Sequence, residues 1–147
     1  MLIPKTAEYA LRAVVWLADS HEDALPREAI AQGTRVPPGY LSKVLNALRR
    51  AGILRSLPGR GGGFALTRPP EAISVLEVVN AVSPLQRIRV CPLGLETHGR
   101  RLCALHRRLD LALASVEEAF AGSSIADILA QPTESPALCE LPGTRSA

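Results

Sequence analysis

Hydrophobic positions in the first third of the chain recur at helical spacing. Over residues 6–20, Ala7, Ala10, Leu11, Val14, Val15, Leu17 and Ala18 gather largely on one face, which predicts an amphipathic first helix with Thr6 as its N-cap. Pro26 suits the first turn of a short second helix through Gln32, with Gly33 as a left-handed stop just beyond it. A third helix is expected over residues 37–50. Leu41, Val44, Leu45 and Leu48 fall at i, i+3, i+4 and i+7, one clean apolar stripe, and Gly52 ends the run. Residues 53–57 and 64–68 flank the run Pro58-Gly59-Arg60-Gly61-Gly62-Gly63, and two short strands around a glycine-rich turn predict a β-hairpin. Ser74 and Glu77 form an S-x-x-E capping box for a fourth helix to about Val82.

The second half is patterned differently. No helical period covers residues 83–101, and a stretch of that length in a small protein is usually functional or disordered. Leu102, Leu105, Leu109, Ala112, Leu113, Val116, Ala119 and Phe120 then alternate spacings of three and four, the pattern of a long helix with an apolar seam. The first helices already have one another to pack on, so this seam is expected to join two subunits. Ser124 caps a short last helix through Ala130, and the Pro-, Ser- and Thr-containing tail from Gln131 is expected to be disordered.

These elements are expected to divide the chain into a winged helix domain (residues 1–82), a candidate ligand loop (83–102), a helix expected to join two subunits with the short terminal helix (103–130) and a tail (131–147). Scarce aromatics, 3% against 47% apolar residues, favour aliphatic helix packing. The fold class expected is mostly α with a small β-hairpin wing: a winged helix-turn-helix followed by a long C-terminal dimerisation helix. The apolar run at 13–18 is bounded by Arg12 and Asp19 and is too short for a membrane span, so a cytoplasmic location without membrane partners is expected.

Charge is uneven. Residues 1–70 carry ten of the 17 lysines and arginines but only five of the 14 acidic residues. A basic domain on a near-neutral body suits a polyanion, because each neutralised phosphate releases counterions. In a winged helix the third helix would lie in the major groove. In its first turns Tyr40, Ser42 and Lys43 are placed to meet base edges, with Pro38 and Gly39 beside them also expected at the DNA, and Arg49 and Arg50 at the far end to meet phosphates. Arg60 at the wing tip, beside Gly61, suits a narrow minor groove. The same cations argue against a winged helix that binds protein instead. The glycine run lacks the G-x-x-x-x-G-K-[ST] of a phosphate-binding loop, and no G-x-S-x-G, H-E-x-x-H or C-x-x-C is present, so an enzyme is not expected.

Residues 1–18 (MLIPKTAEYALRAVVWLA), 36–56 (VPPGYLSKVLNALRRAGILRS) and 59–82 (GRGGGFALTRPPEAISVLEVVNAV) resemble the Rrf2 family of regulators, that of IscR and NsrR. The resemblance covers roughly residues 1–130. It implies a homodimer on a near-palindromic double-stranded operator, acting as a repressor or activator under an iron–sulfur cluster or another small signal. Sensing members carry three cysteines before the dimerisation helix and a fourth ligand, either a nearby histidine or an acidic residue of the first helix. Here Cys91 and Cys103 fit the first and third cysteines, His106 the histidine and Glu8 the acidic position. Thr97 stands in place of the middle cysteine, with His98 beside it as an alternative ligand. The cofactor implied is an iron–sulfur cluster, of the two-iron type if ligation is mixed Cys/His as in Rieske centres. The alternative is a regulator that senses redox state through a Cys91/Cys103 thiol pair. His21 and Cys139 are expected to play no part.

Overall fold

The computed structural model describes residues 3–20, 22–98, 101–132 and 134. His21, Cys139 and most of the tail lie outside the described residues. Among the described residues, six α-helices and one hairpin form: α1 (Lys5–Asp19), α2 (Arg27–Thr34), α3 (Pro38–Arg50), β1 (Leu54–Leu57), β2 (Gly63–Leu66), α4 (Val75–Val82), α5 (Ala104–Ala121) and α6 (Ile125–Ala130). This is the winged helix-turn-helix with a long following helix that the periodicity predicts.

The core is built around α1. Ala7, Ala10 and Ala13 are fully buried, and these small side chains let α2, α3, α4 and α6 approach α1 closely. α3 contributes its whole stripe, Leu41, Val44, Leu45 and Leu48, to the same core. Its C-terminus closes in a Schellman motif. Gly52 sits at φ +77° while the Gly52 amide donates to the Arg49 carbonyl and the Ile53 amide to the Leu48 carbonyl. Ser74 and Glu77 form the expected reciprocal box at α4, and Ser124 makes another with Asp127 at α6.

Three local expectations are corrected. Thr6 is not the N-cap of α1; the helix starts after Pro4, which makes no side-chain cap bond. α2 runs past Gln32 to Thr34, and the left-handed residue is Arg35, at φ +56°. Gly33 is required for another reason, because a Cβ there would lie 2.0 Å from a ring carbon of Trp16. The last turn of α2 is held instead by Thr34, whose hydroxyl donates to the Ile30 carbonyl (2.6 Å) and accepts from the Val36 amide (3.4 Å).

The wing pairs β1 and β2 antiparallel, with Leu54 opposite Leu66 and Leu57 opposite Gly63. A third strand position, not foreseen, is supplied by Leu25. It exchanges both backbone hydrogen bonds with Phe64, at 3.0 and 2.8 Å, and so ties the wing to the entry of α2. A Cβ on Gly63 would sit 2.1 Å from the Leu25 carbonyl oxygen, so only glycine permits this approach.

α6 returns to the first domain. Ile125 is fully buried in the core, and its amide donates to the Ile73 carbonyl at 2.9 Å. The terminal helix, grouped by sequence with the dimerisation helix, therefore packs with the winged helix. α5 does the opposite: it packs on α4 and none of its 18 residues is buried. Among the described residues no helix is long and apolar enough to cross a membrane.

Candidate functional site

The candidate side chains fall in two clusters, one on α3 and the wing, the other at the start of α5. On α3, Pro38, Gly39, Tyr40, Lys43, Arg49 and Arg50 are exposed, as are Arg60 and Gly61 at the hairpin tip. Burial of the leucine stripe fixes the depth of the helix in the domain and leaves these groups facing outward. Lys43, Asn46, Arg49 and Arg50 line an open groove of about 540 Å³ with Thr6 of α1, so the cations of α3 are clustered rather than dispersed.

Ser42 is less free than its neighbours. Its hydroxyl donates to the Pro38 carbonyl (3.2 Å) and accepts from Arg27 Nη1 (3.1 Å), which couples α2 to the start of α3. Tyr40 is half exposed, and its ring meets Tyr9 of α1 edge to face at 5.7 Å. The Arg12 guanidinium lies 5.4 Å from the Tyr9 ring centroid and donates to Glu8 at 2.6 Å and to the Thr34 carbonyl at 3.2 Å. Tyr9, Arg12 and Arg27 thus support the candidate base-reading residues from behind. Sequence reasoning passed over all three, because each belongs to an element whose own pattern signals only packing.

The second cluster is formed by the loop between α4 and α5. Arg87 anchors that loop to α5 through a bidentate pair with Asp110, at 2.7 Å from both Nε and Nη2, and a 3.2 Å contact with Glu117. The Ile88 amide donates to Asp110 as well, at 2.9 Å. The Arg87 guanidinium, with help from the Ile88 amide, holds the Asp110 carboxyl at about 2, well below its ordinary 3.8. Past this anchor the chain makes a turn at Gly94 (φ +62°) and a single 3-10 turn, Glu96–His98, before entering α5.

These turns bring together Cys91, His98, Cys103 and His106. Cys91 Sγ lies 3.3 Å from His98 Nδ1 and 3.6 Å from His106 Nδ1, and Cys103 Sγ lies 3.2 Å from His106 Nδ1. Cys91 is buried; the other three are partly so. Cys103 is the N-cap residue of α5, and although its sulfur makes no regular capping bond it faces the open amides of the first turn. The His106 amide, the His106 ring and the Leu105 amide draw its thiol down to about 7, against the opposing effect of burial.

Of the residues considered as ligands, the structure gathers Cys91, Cys103, His106 and the alternative, His98. Thr97, in the place of a middle cysteine, is exposed, and the residue turned inward is its neighbour. Glu8 does not join the group; it is engaged by Arg12 on α1. The donor types fit thiolate–imidazole metal chemistry.

A family model described as Rrf2, iron-dependent transcriptional regulator, matches residues 3–131. An HTH-type transcriptional regulator of Aquifex aeolicus is 25% identical over 132 residues, covering 88% of this chain and 92% of its own. One from Mycobacterium tuberculosis is 33% identical over 132 residues, with 87% and 81% covered. Among solved structures, CymR, the global cysteine regulator of B. subtilis, is similar with a TM-score of 0.70 at 23% identity, covering 86% of this chain and 94% of that one. IscR of T. potens is similar with a TM-score of 0.72 at 22% identity, covering 90% and 93%. Both share the fold.

Proposed function

Because this chain belongs to the Rrf2 family of DNA-binding transcriptional regulators, we propose that it works as a homodimer, joined through α5, whose affinity for operator DNA is set by a metal centre at Cys91, His98, Cys103 and His106. The observation that carries this reading is where those four side chains converge: at the start of α5, between the winged helix and the helix left uncovered for a partner. Cys91 and His98 of the loop and Cys103 and His106 at the start of α5 would hold a metal between them, which would tie the loop to α5, and its loss would shift the population of dimers whose two α3 helices are spaced for DNA. In each protomer Tyr40 and Lys43, with Pro38 and Gly39 bringing the backbone close, read base edges. Arg49 and Arg50 hold phosphates, and Arg60 with Gly61 enters the minor groove. Ser42 contributes to reading only by exchanging its Arg27 bond for one to a base.

Thiolate and imidazole are the donors of Rieske-type two-iron clusters and also of single tetrahedral cations. The donor types therefore support an iron–sulfur cluster as well as one ion, and the mutual spacing of the donors favours the ion. A second reading, redox control through a Cys91–Cys103 disulfide, is favoured by the two sulfurs lying within 4.8 Å of each other and by the lowered Cys103 thiol. Mass spectrometry of the oxidised protein would detect that bond.

The DNA reading is tested by anisotropy titrations on genomic and random-sequence duplexes. Lys43→Ala or Tyr40→Ala is expected to remove about 1–3 kcal/mol of sequence discrimination. Arg60→Ala should weaken binding chiefly at A/T-rich flanks. Equal losses for all three on random sequence would refute this division of roles.

A further inference from the structure

The contacts among the four donors form an unbroken series: His98 to Cys91 at 3.3 Å, Cys91 to His106 at 3.6 Å and His106 to Cys103 at 3.2 Å. Cys91, His98 and Cys103 also offer ligand atoms that all lie within 4.8 Å of one another. This connectivity restricts what the group can hold. A two-iron cluster divides four protein donors into two pairs, one on each iron, and sets both irons and the bridging sulfides between the pairs. Donors touch within a pair but not across it. Any division of these four residues into pairs leaves at least one of the three contacts crossing from one iron to the other. The best division, His98 with Cys91 and His106 with Cys103, still leaves Cys91 Sγ 3.6 Å from His106 Nδ1.

Around a single tetrahedral ion every donor touches every other; Cys91, His98 and Cys103 already lie within 4.8 Å of one another, and His106, which touches both sulfurs but stands outside that mutual group, would close toward His98 when the ion binds. With metal–sulfur bonds of about 2.3 Å and metal–nitrogen bonds of about 2.0–2.1 Å, each sulfur–nitrogen edge of the tetrahedron is about 3.5 Å. The three observed edges span 3.2 to 3.6 Å. All four donors come from one protomer, two from the loop and two from the start of α5, so no ligand from the partner is needed.

We propose that Cys91, His98, Cys103 and His106 form a mononuclear Cys2His2 site for Zn²⁺ in each protomer, in place of the two-iron cluster that the family resemblance implies. This deepens the metal-controlled reading above and rests on it. Thr97 then needs no replacement ligand, since His98 completes the tetrahedron, and Glu8 is left to its ion pair with Arg12.

The test uses the full chain, stripped of metal under reducing conditions and titrated with Co²⁺ and then Zn²⁺. One cobalt per protomer is expected, with the intense visible bands of a tetrahedral thiolate site, bleached by one equivalent of Zn²⁺. His98→Asn, a change in a partly exposed loop, should weaken cobalt uptake at least about 100-fold, the upper range reached even by losing an outer-shell partner. Cys91→Ser should abolish the bands. Parallel anaerobic reconstitution with ferrous iron and sulfide is expected to leave no acid-labile sulfide on the protein. Two irons and two sulfides per protomer, an octahedral cobalt spectrum, or uptake unchanged in His98→Asn would each overturn the proposal. Operator binding by zinc-loaded and metal-free protein separates the two claims. Tetrahedral cobalt without a change in DNA affinity leaves the site standing and removes its regulatory role, whereas a cluster that changes DNA affinity keeps the regulatory role and removes this site.

Discussion

α3 and α5 are both amphipathic helices rich in leucine, and the fold treats them in opposite ways. α3 has its four stripe residues at 0–2% exposure. α5 buries none, and Leu105, Leu109 and Leu111 remain 62%, 47% and 51% exposed. α5 is fastened to the rest of the chain by the Arg87 bridge to Asp110 and Glu117 and, near its C-terminus, by Phe120, which packs partly buried against the core. A hydrophobic period reveals that a helix has a face to cover, and only the packing reveals whether this chain covers it. Val90, Leu93 and Leu95 of the preceding loop are exposed as well. These exposed apolar side chains are what the proposed pairing of α5 with a second copy would cover.

The contrast can be broken or sharpened by substitution. The largest effect is expected from Leu48→Ala in α3, which empties a fully buried site and should cost about 2–5 kcal/mol in a urea titration. A cost below about 1 kcal/mol would mean that α3 is not seated as described. Next, Leu109→Glu should set a charge against its symmetry mate and weaken dimerisation by at least about 100-fold, with the helical content of each protomer unchanged. An intact dimer in sedimentation equilibrium would move the interface off this face.

A smaller effect is expected from the polar fastening. Because Asp110 is held below its ordinary value, its pair with Arg87 stabilises the folded chain fully above about pH 4, and that contribution is lost as pH falls toward 2. Wild type should therefore melt above Asp110→Asn at pH 6, with the gap narrowing progressively below about pH 4 and much reduced at pH 2. A gap that stays constant would rule out the linkage. Least of all, Leu105→Ala made in the monomeric Leu109→Glu background should shift stability by no more than about 0.5 kcal/mol, since Leu105 is uncovered there. A loss on the scale of Leu48→Ala would erase the contrast between the two helices.

Much of this was legible in the sequence because it is local. The α3 stripe, the left-handed Gly52, the Ser74 and Ser124 caps and the wing each follow from residues within a few positions of one another. The Thr6 cap and the end of α2 are local misreadings, and what else differs or was not foreseen is tertiary. Gly33 is fixed by the Trp16 ring rather than by its own φ, and Leu25 becomes a strand position only because Phe64 arrives beside it. The return of Ile125 to the α1 core likewise has no local sign. The candidate metal group divides the same way. Cys91, Cys103 and His106 were singled out through family resemblance, but the choice between His98 and Glu8 depends on a loop path that residue types do not encode.

The central claim, a symmetric pair of winged helices joined through α5, is tested most directly by selecting bound sequences from a pool of random duplexes with the full chain. The account predicts enrichment of near-palindromic sites whose half-sites are centred about one helical turn, roughly 34 Å, apart, and loss of that enrichment in Leu109→Glu. Enrichment of a single asymmetric site, equally strong in Leu109→Glu, would contradict it.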